Sequence, residues 1–411
     1  MQERNYKKHK DKEGHLSAVN TGLFLYHGMN TQAKAIEQLL SETGVRINGL
    51  HPWDIWVRDE RLYSRLLKDG SLGLGESYME GWWGCSQIDG LICRLLRENL
   101  EEKIKGGLHS LLLYLSARLF NLQSPARAGI IARRHYDLGE DLFFSFLDPY
   151  KQYSCAYFQG TDDLAEAHQR QKMELICRKI NLQPQDHVMD IGCGWGGFAR
   201  YAAETHGCTV TAVNISGEQI RHAREFCKNL PVNVRHEDYR QTRGSFDKII
   251  SVGMFEHVGQ KNYRSFMKVV HRCLKDEGIF LLHTIGGNVS RVNCDPWINR
   301  YIFPNGMLPS IAQIAKDAEG LFVIEDIHNL SPHYEKTLLA WNNRFQKAWH
   351  GLAEKYNRTF KRMWEYYLLS CAGAFCARHI QVWQIVMTKE GAPCNRHADS
   401  HRRGEWVTKR F

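Results

Sequence analysis

The sequence VMDIGCGWGGFARY, residues 188–201, reads as a strand, a tight turn and the start of a helix. The apolar run carries Asp190 near its end, and the turn after it contains Gly192, Gly194 and Gly196. Glycine lacks a Cβ atom, so it adopts positive φ angles and lets the backbone approach a ligand closely. This stretch therefore predicts a cofactor-binding turn between a strand and a helix.

The charge pattern around the turn indicates which cofactor binds. The letters GCGWGG also fit G-x-G-x-x-G, the dinucleotide pattern in which a helix N-terminus binds a pyrophosphate. Asp190, two residues before the first glycine, would repel a diphosphate but attract a cationic ligand. Asn214 ends the next predicted strand, where a dinucleotide site carries an acidic residue for the ribose. S-adenosylmethionine (SAM), which has an ammonium and a sulfonium but no phosphate, therefore fits better than NAD.

Strands and helices alternate around this turn. The sequence predicts strands over 208–215, 232–237, 246–253 and 278–284, and helices over 163–180, 217–229 and 262–275. This rhythm is typical of an α/β fold with a doubly wound, Rossmann-like parallel sheet, whose ligands bind at the carboxyl ends of the strands. By that rule five polar side chains face one crevice: Asp190, Asn214, Asp238, Glu256 and His283.

With 411 residues the chain exceeds the usual size of one domain, so two domains are expected. We expect an N-terminal tail over 1–30, a small α+β domain over 31–125, a SAM-binding domain over 126–388 and a C-terminal tail over 389–411. In the small domain, apolar residues at helical spacing predict a helix over 31–45. Short strands and turns are predicted over 51–83, with Trp82 and Trp83 in the core.

Cysteine usage and hydropathy suggest the cellular compartment. The twelve cysteines are scattered without a C-x-x-C pair, so neither a disulfide framework nor a zinc site is predicted, and no metal is expected. This usage fits the reducing cytosol. The charged N-terminus lacks the apolar core of a secretory signal, and no run reaches the ~18 apolar residues of a membrane span. We therefore expect a cytoplasmic protein.

The net charge of +9 is unevenly distributed, since residues 1–16 supply +2 and residues 389–411 supply +3. Residues 103–134 contain six basic residues, no acidic one and apolar stretches such as LHSLLLYLSARLF. Anionic headgroups attract Lys and Arg while Leu and Phe enter the interface, so this segment predicts contact with an anionic bilayer. An inter-domain helix that buries its apolar side is the alternative. Nucleic-acid binding is disfavoured because the leucines leave few stacking platforms.

The C-terminal third is rich in aromatic residues. We expect them to cover the crevice and to keep water out of a substrate channel. The candidates are Trp297, Tyr301, Phe303, Trp341 and Trp364. Each of them is also compatible with an ordinary core position.

Glu256, His257, His283 and Tyr334 are the polar residues that we expect to meet near the SAM methyl group. Glu256 is a candidate general base or an anchor for one, and burial beside aromatic rings would raise its pKa. Polar capping of a strand or helix end is the alternative for Glu256 and His257, and a core histidine is the alternative for His283. No Ser/His/Asp order or metal-ligand spacing points to another chemistry.

Six longer motifs carry a resemblance to a known family. They are GSLGLGESYMEGWW (70–83), HYDLGEDLF (135–143), QYSCAYF (152–158), VMDIGCGWGGFARY (188–201), SVGMFEHVG (251–259) and DPWINRYIFPNG (295–306). With them the chain resembles the bacterial two-domain cyclopropane-fatty-acyl-phospholipid synthases over residues 31–388. The resemblance implies transfer of a methylene group from SAM to a cis double bond of an acyl chain in a membrane phospholipid.

The same resemblance implies a set of site residues. A bound bicarbonate ion would act as the base, held by Cys155, Glu256, His283, Tyr334 and the backbone of Ile285. The cofactor residues would be Tyr153, Ser154, Gly192, Gly194, Gly196, Asn214 and Gln219, with Asp190 and Asp238 in the same crevice. Asn214 departs from the Thr often found at its position. A homodimer peripherally associated with the inner membrane is implied as well.

Two other functions stay open at this point. A SAM methyltransferase of the same fold could add a methyl group to a lipid or a small amine without closing a ring. The third hypothesis is a membrane-binding module that senses SAM without catalysis.

Overall fold

The computed structural model describes residues 31–98, 139–159, 165–291 and 294–393. The chain divides into two compact units between Lys105 and Gly106. Three predictions concern residues outside the described ranges: the basic segment 103–134, the domain boundary at 125/126, and the tails up to residue 30 and from residue 394. They stay predictions.

The small unit consists of helices and a two-stranded antiparallel ribbon. Its elements are α1 (31–40), β1 (Trp56–Val57), α2 (Arg61–Met79), β2 (Trp83–Gly84) and α3 (Ile88–Arg97). The prediction of short strands and turns over 51–83 is wrong for most of that stretch, because α2 occupies 19 of its residues. α2 buries Leu62, Leu74 and Tyr78. A kink at Gly70, where φ is 53°, accommodates the glycine-rich middle that suggested turns.

The two adjacent tryptophans of the small unit occupy different environments. Trp83 is fully buried, and its indole Nε1 donates a hydrogen bond of 3.0 Å to the Leu74 carbonyl. Trp82 is half-buried, and the guanidinium groups of Arg61 and Arg65 lie 4.6 and 4.8 Å from its ring centroid. The core prediction is therefore confirmed for Trp83, whereas Trp82 packs beneath two arginines.

The larger unit is built on a seven-stranded sheet of order β5-β4-β3-β6-β7-β9-β8. Its strands are β3 (His187–Ile191), β4 (Thr209–Asn214), β5 (Val232–His236), β6 (Phe246–Val252), β7 (Leu274–Gly287), β8 (Val323–Asn329) and β9 (Ile380–Thr388). Its helices are α4 (Glu140–Phe144), α5 (Ala165–Lys179), α6 (Gly197–His206), α7 (Gly217–Phe226), α8 (Tyr263–Cys273), α9 (Pro296–Tyr301), α10 (Ile311–Ala318), α11 (Ser331–Leu352) and α12 (Arg358–Cys376).

The predicted doubly wound α/β class is confirmed, because β5, β4, β3, β6 and β7 pair in parallel. Most predicted elements end within a few residues of the observed ones; for example, α7 ends at Phe226 and not at residue 229. The sequence did not predict β9, which pairs antiparallel with both β7 and β8. Its apolar sequence IQVWQIVMT follows α12 closely, so periodicity alone does not separate the two elements.

Alternation along the strands assigns the side chains to the two faces of the sheet. Val188 and Leu281 belong to the apolar cluster that includes α5, whereas Met189 belongs to the cluster on the opposite face. Asp190 follows Val188 by two residues, and His283 follows Leu281 by two. Both polar side chains therefore point to the face that α5 covers.

Across the described ranges, each helix is too short or too polar to cross a bilayer.

Candidate active site

A cavity opens at the carboxyl ends of β3, β4 and β6. It encloses about 1250 Å³, its open mouth included. Eight residues predicted to bind the cofactor line it: Tyr153, Ser154, Asp190, Gly192, Gly194, Asn214, Gln219 and Asp238. The crevice rule for parallel sheets is confirmed for Asp190, Asn214 and Asp238. It is wrong for Glu256 and His283, which do not line this cavity.

The glycines of the turn differ in what they face. Gly192 has a φ of 82°, and a Cβ there would lie 2.6 Å from the Cβ of Met254, so the turn and the loop after β6 approach closely. Gly196, the ninth predicted cofactor residue, does not line the cavity. It caps the N-terminus of α6 with a φ of 84°, and a Cβ there would lie 2.9 Å from the Cβ of Ala223. Gly196 therefore allows close packing of α6 on α7.

Asp190 supplies a carboxylate to the cavity wall. It is 3% exposed, and its Oδ2 atom has no hydrogen-bond partner. Burial raises the pKa of Asp190 to about 7, although the nearby positive charge of Lys172 opposes the rise. An unpartnered buried carboxylate is costly unless a cation or a donor satisfies it, so this wall suits a cationic ligand.

Asn214, Gln219 and Asp238 form the polar side of the cavity. Asn214 Nδ2 donates to Gln219 Oε1 at 2.8 Å, and Asn214 Oδ1 accepts from the backbone N–H of Ile215 at 2.7 Å, so both amides are held in place. The Asp238 carboxylate is bound by the guanidinium group of Arg240 at 2.6 Å. Burial opposes ionisation of Asp238, but hydrogen bonds from Arg240 keep its pKa below the ordinary value.

The side chains predicted to hold the bicarbonate ion are buried and lie outside the lining of the cavity. Cys155, Glu256, His283 and Tyr334 are between 0% and 7% exposed, and none of them lines the cavity. The backbone N–H of Ile285 donates to Glu256 Oε1 at 2.7 Å. Burial, with the nearby Cys155, Tyr153 and Glu256, raises the pKa of Tyr334 well above its ordinary value. We call Cys155, Glu256, His283, Ile285 and Tyr334 the buried cluster.

Glu256 carries the one acidic group of the buried cluster. Burial raises the pKa of Glu256 to about 7, and hydrogen bonds from Ile285 and Thr284 oppose the rise. Its Oε2 atom has no partner. The predicted rise in the pKa of Glu256 is thus confirmed, and this carboxyl group can hold or release a proton near neutral pH.

His283 and Cys155 present neutral groups to the cluster. The Gln384 amide nitrogen lies 3.3 Å from His283 Nδ1, and His283 Nε2 has no hydrogen-bond partner. Burial, together with the positive charges of Lys172 and Lys179, lowers the pKa of His283 well below its ordinary value. Burial raises the pKa of the Cys155 thiol, which stays protonated.

Aromatic rings connect the cavity with the buried cluster. Tyr153 lines the cavity and stacks on Trp341 with 5.2 Å between ring centroids. Its hydroxyl lies 2.7 Å from that of Tyr367, and Trp341 contacts Tyr334 edge-on at 6.1 Å. Of the aromatic residues predicted to keep the site dry, three are buried, Trp297, Trp341 and Trp364, and two are half-buried, Tyr301 and Phe303.

His257 lies apart from the other polar residues that were expected to meet. It lines the cavity and not the buried cluster, and its ring lies 5.6 Å from that of Phe303. Burial lowers the pKa of His257 to about 4, so the imidazole is neutral. The structure thus separates His257 from Glu256, its neighbour in sequence.

Sequence reasoning missed Lys172. This residue of α5 is fully buried, and its ammonium group donates to Gln152 Oε1 and, at 3.0 Å, to Ser154 Oγ. The spacing in the sequence could have indicated that Lys172 is buried. Lys172 lies four residues before Ile176 and seven before Lys179, which places all three on one side of the helix. A lysine within such an apolar stripe is buried only when it has partners.

Comparisons with known proteins agree with this geometry. The family described as mycolic acid cyclopropane synthetase matches residues 123–385. Cyclopropane-fatty-acyl-phospholipid synthase of Escherichia coli strain K12 is 52% identical over 352 residues, which cover 86% of this chain and 92% of that protein. Tuberculostearic acid methyltransferase UfaA1 of Mycobacterium tuberculosis is 33% identical over 361 residues, with 82% and 83% covered.

Solved structures also share the fold. The crystal structure of mycolic acid cyclopropane synthase CmaA1 complexed with SAH and CTAB superposes with a TM-score of 0.59 at 33% identity. That alignment covers 64% of this chain and 98% of CmaA1. The chain therefore belongs to the mycolic acid cyclopropane synthetase family of SAM-dependent methyltransferases.

Proposed function

We propose that this protein is a cyclopropane fatty acid synthase, which transfers a methylene group from SAM to a cis double bond of an acyl chain in a membrane phospholipid. One observation carries the proposal: a cavity with an unpartnered carboxylate at Asp190 lies beside a buried cluster around Glu256, and aromatic rings connect them. The 52% identical relative, whose name is that of this activity, supports the same conclusion.

The cavity residues fit SAM in charge. When bound, SAM supplies an electrophilic methyl group to the double bond. Asp190 would hold the cationic part of SAM, because its Oδ2 atom lacks a partner. Asn214 and Gln219 would bind the polar groups of SAM, since their mutual hydrogen bond fixes both amides at the wall. An alkene is a weak nucleophile, so such fixed positioning supplies much of the rate enhancement.

The buried cluster fits a bicarbonate ion. When bound, bicarbonate supplies the base that takes a proton from the added methyl group. The imidazole of His283 and the hydroxyl of Tyr334 would face the anion as neutral groups, since the pKa shifts of both favour their uncharged forms. Glu256 can pass the proton on, because its pKa of about 7 lets it accept and release a proton under working conditions.

The aromatic side chains would protect the reactive intermediate from water. Methylation of an alkene leaves a carbocation, which water would capture. Tyr153, Trp341 and Tyr334 exclude water from the space between the cavity and the cluster, and ring faces stabilise a cation by ~0.5–2 kcal/mol each. Trp341 is 2% exposed, so its ring is available in a desolvated environment.

A product analysis tests the proposal. The purified protein is incubated with SAM, bicarbonate and vesicles of monounsaturated phospholipid, with fully saturated vesicles as the control. We expect loss of the olefinic proton signals and growth of upfield cyclopropane signals in the proton NMR spectrum. SAM consumption with no cyclopropane signal would contradict the proposal.

A methyltransferase that stops before ring closure is the second candidate. The relative named tuberculostearic acid methyltransferase, 33% identical to this chain, favours it. Both candidates add one CH2 to the lipid mass, so mass alone does not separate them. In this candidate the cation loses a proton from an adjacent carbon and keeps a double bond, so retained olefinic signals with new methyl or methylene signals and no ring protons would identify its product.

We also propose that the protein binds the surface of an anionic bilayer, and residues 48–56 of the small unit support this. Leu50 is 100% exposed and Trp56 is 39% exposed. The carboxylate of buried Asp54 accepts hydrogen bonds of 2.8 Å from the backbone N–H groups of Arg46 and His51, which fixes the loop. A fixed loop that exposes a leucine beside an indole suits the lipid interface. The implied homodimer stays a prediction.

Leu50→Glu should weaken binding to anionic vesicles by about tenfold, because it removes apolar surface and adds a charge that the headgroups repel. Folding should be unaffected, since Leu50 contacts only solvent. Leu67→Glu is the matched control, because Leu67 is an exposed leucine of α2 outside the loop. Vesicle co-sedimentation measures both. Equal binding of the two variants would rule this loop out as the contact.

A further inference from the structure

Lys172 is a buried cation between the cavity and the buried cluster. It projects from α5, and its ammonium group donates to Gln152 Oε1 and Ser154 Oγ. Gln152 and Ser154 line the cavity, and Cys155 of the buried cluster follows directly in the chain. One ammonium group thus holds the segment that forms a wall of both sites.

The ionisable groups around Lys172 come from three elements. Asp148 and Cys155 belong to the segment before α5, Asp190 lies near the end of β3, and His283 lies on β7. Asp190 and His283 point to the α5 face of the sheet, as their alternation with Val188 and Leu281 requires. Lys172 therefore faces a carboxylate of the cofactor cavity and an imidazole of the buried cluster.

An anion bound in the buried cluster needs a positive charge nearby. His283, Tyr334 and Cys155 are neutral there, and Glu256 is neutral or negative. Burying an unpaired anion is expensive, because neutral donors replace only part of its hydration energy. The other buried lysine of α5, Lys179, already forms an ion pair of 3.3 Å with Asp326.

We propose that Lys172 is a positioning residue for both sites: it fixes the wall that contacts SAM, and it supplies the positive charge that makes the buried cluster attractive to bicarbonate. This inference rests on the proposed function. It concerns binding and not the bond-making step, so Lys172 need not touch the reacting atoms.

The charge state of Lys172 makes the inference sensitive to pH. Burial lowers the pKa of Lys172 to about 8, while Asp148, Cys155 and Asp190 oppose the fall. Below that pH the ammonium is charged, and above it the charge is lost. Bicarbonate affinity should therefore fall as the pH rises through about 8. An arginine at this position would stay charged throughout that range.

The test compares Lys172→Met, Lys172→Arg and Lys179→Met in the full-length protein. Two quantities are measured: the dissociation constant of S-adenosylhomocysteine by calorimetry, and the bicarbonate concentration that gives half-maximal cyclopropanation. In Lys172→Met both should rise by about tenfold. In Lys179→Met both should change by less than about threefold, although its melting temperature should fall because the ion pair with Asp326 is lost.

Lys172→Arg distinguishes an electrostatic role of Lys172 from a purely structural one, because it changes the pH dependence of bicarbonate affinity. The decline in bicarbonate affinity centred near pH 8 should disappear in this variant, because guanidinium does not titrate there. A separate decline near pH 7, from ionisation of Glu256, should remain. If Lys172→Met does not fold, persistence of the decline near pH 8 in Lys172→Arg overturns the inference. Unchanged constants in a folded Lys172→Met overturn it as well. If the wild-type protein forms no cyclopropane product, the proposed function is overturned instead. The calorimetric comparison would still decide the role of Lys172 in cofactor binding.

Discussion

Replacing Glu256 with Gln should lower the rate of cyclopropanation by about 10³-fold and leave the dissociation constant of S-adenosylhomocysteine within about twofold. Glutamine keeps the shape and can still accept the hydrogen bond from the Ile285 N–H, but it cannot receive a proton. Glu256 does not line the cavity, so cofactor binding should persist. The rate is measured by product NMR and the affinity by calorimetry.

The control for this variant is Glu174→Gln. Glu174 lies on α5 and binds the Tyr201 hydroxyl at 3.0 Å, away from both sites. Its loss should leave the rate within about twofold. Added bicarbonate should not rescue Glu256→Gln, because the missing group is the proton acceptor of the protein itself. Undiminished turnover in Glu256→Gln would remove Glu256 from the mechanism.

Asp190→Asn should weaken SAM binding by about 100-fold, which corresponds to about 2.7 kcal/mol. Asp190 is buried with an unpartnered Oδ2, and removing one partner of a buried charge pair costs 2–5 kcal/mol or more, as a rough range. Asn can still hydrogen-bond but carries no charge. Calorimetric titration with SAM measures the loss directly.

The pH dependence of SAM affinity is a second test of the role of Asp190. Burial raises the pKa of Asp190 to about 7 in the free protein. Below that pH the carboxyl group is protonated and loses its attraction for a cation, so SAM affinity should fall as the pH drops from about 8 to about 6. In Asp190→Asn this dependence should vanish.

Asp186→Asn is the matched control, because Asp186 directly precedes β3 and so lies at the opposite end of the strand. Its carboxylate accepts a hydrogen bond of 2.8 Å from the Gln183 backbone N–H. This variant should lose some stability but keep its SAM affinity. A wild-type affinity in Asp190→Asn would mean that the cationic end of SAM is bound elsewhere.

Only part of the candidate site could be predicted from the sequence. Parallel strands end at a common edge, so placing Asp190 and Asn214 at strand ends was sufficient to bring them together. The resemblance singled out Cys155, which no spacing rule connects with Tyr334. The sequence did not predict that Lys172 is buried, because lysine on a helix is ordinarily solvated. Its partners Gln152 and Ser154 come from a separate segment.

The sequence by itself determined the alternation of strands and helices from β3 to β7, the cofactor turn and the edge of the sheet at which a ligand binds. These follow from local periodicity, glycine conformation and the rule that ligands bind at the carboxyl ends of parallel strands. The tertiary structure alone decided that Gly196 packs against α7, that β9 lies between β7 and β8, and that Lys172 is buried between the two sites. Each of these depends on contacts between segments distant in sequence, and burial and charge compensation there are properties of the assembled core that no single stretch of the chain contains.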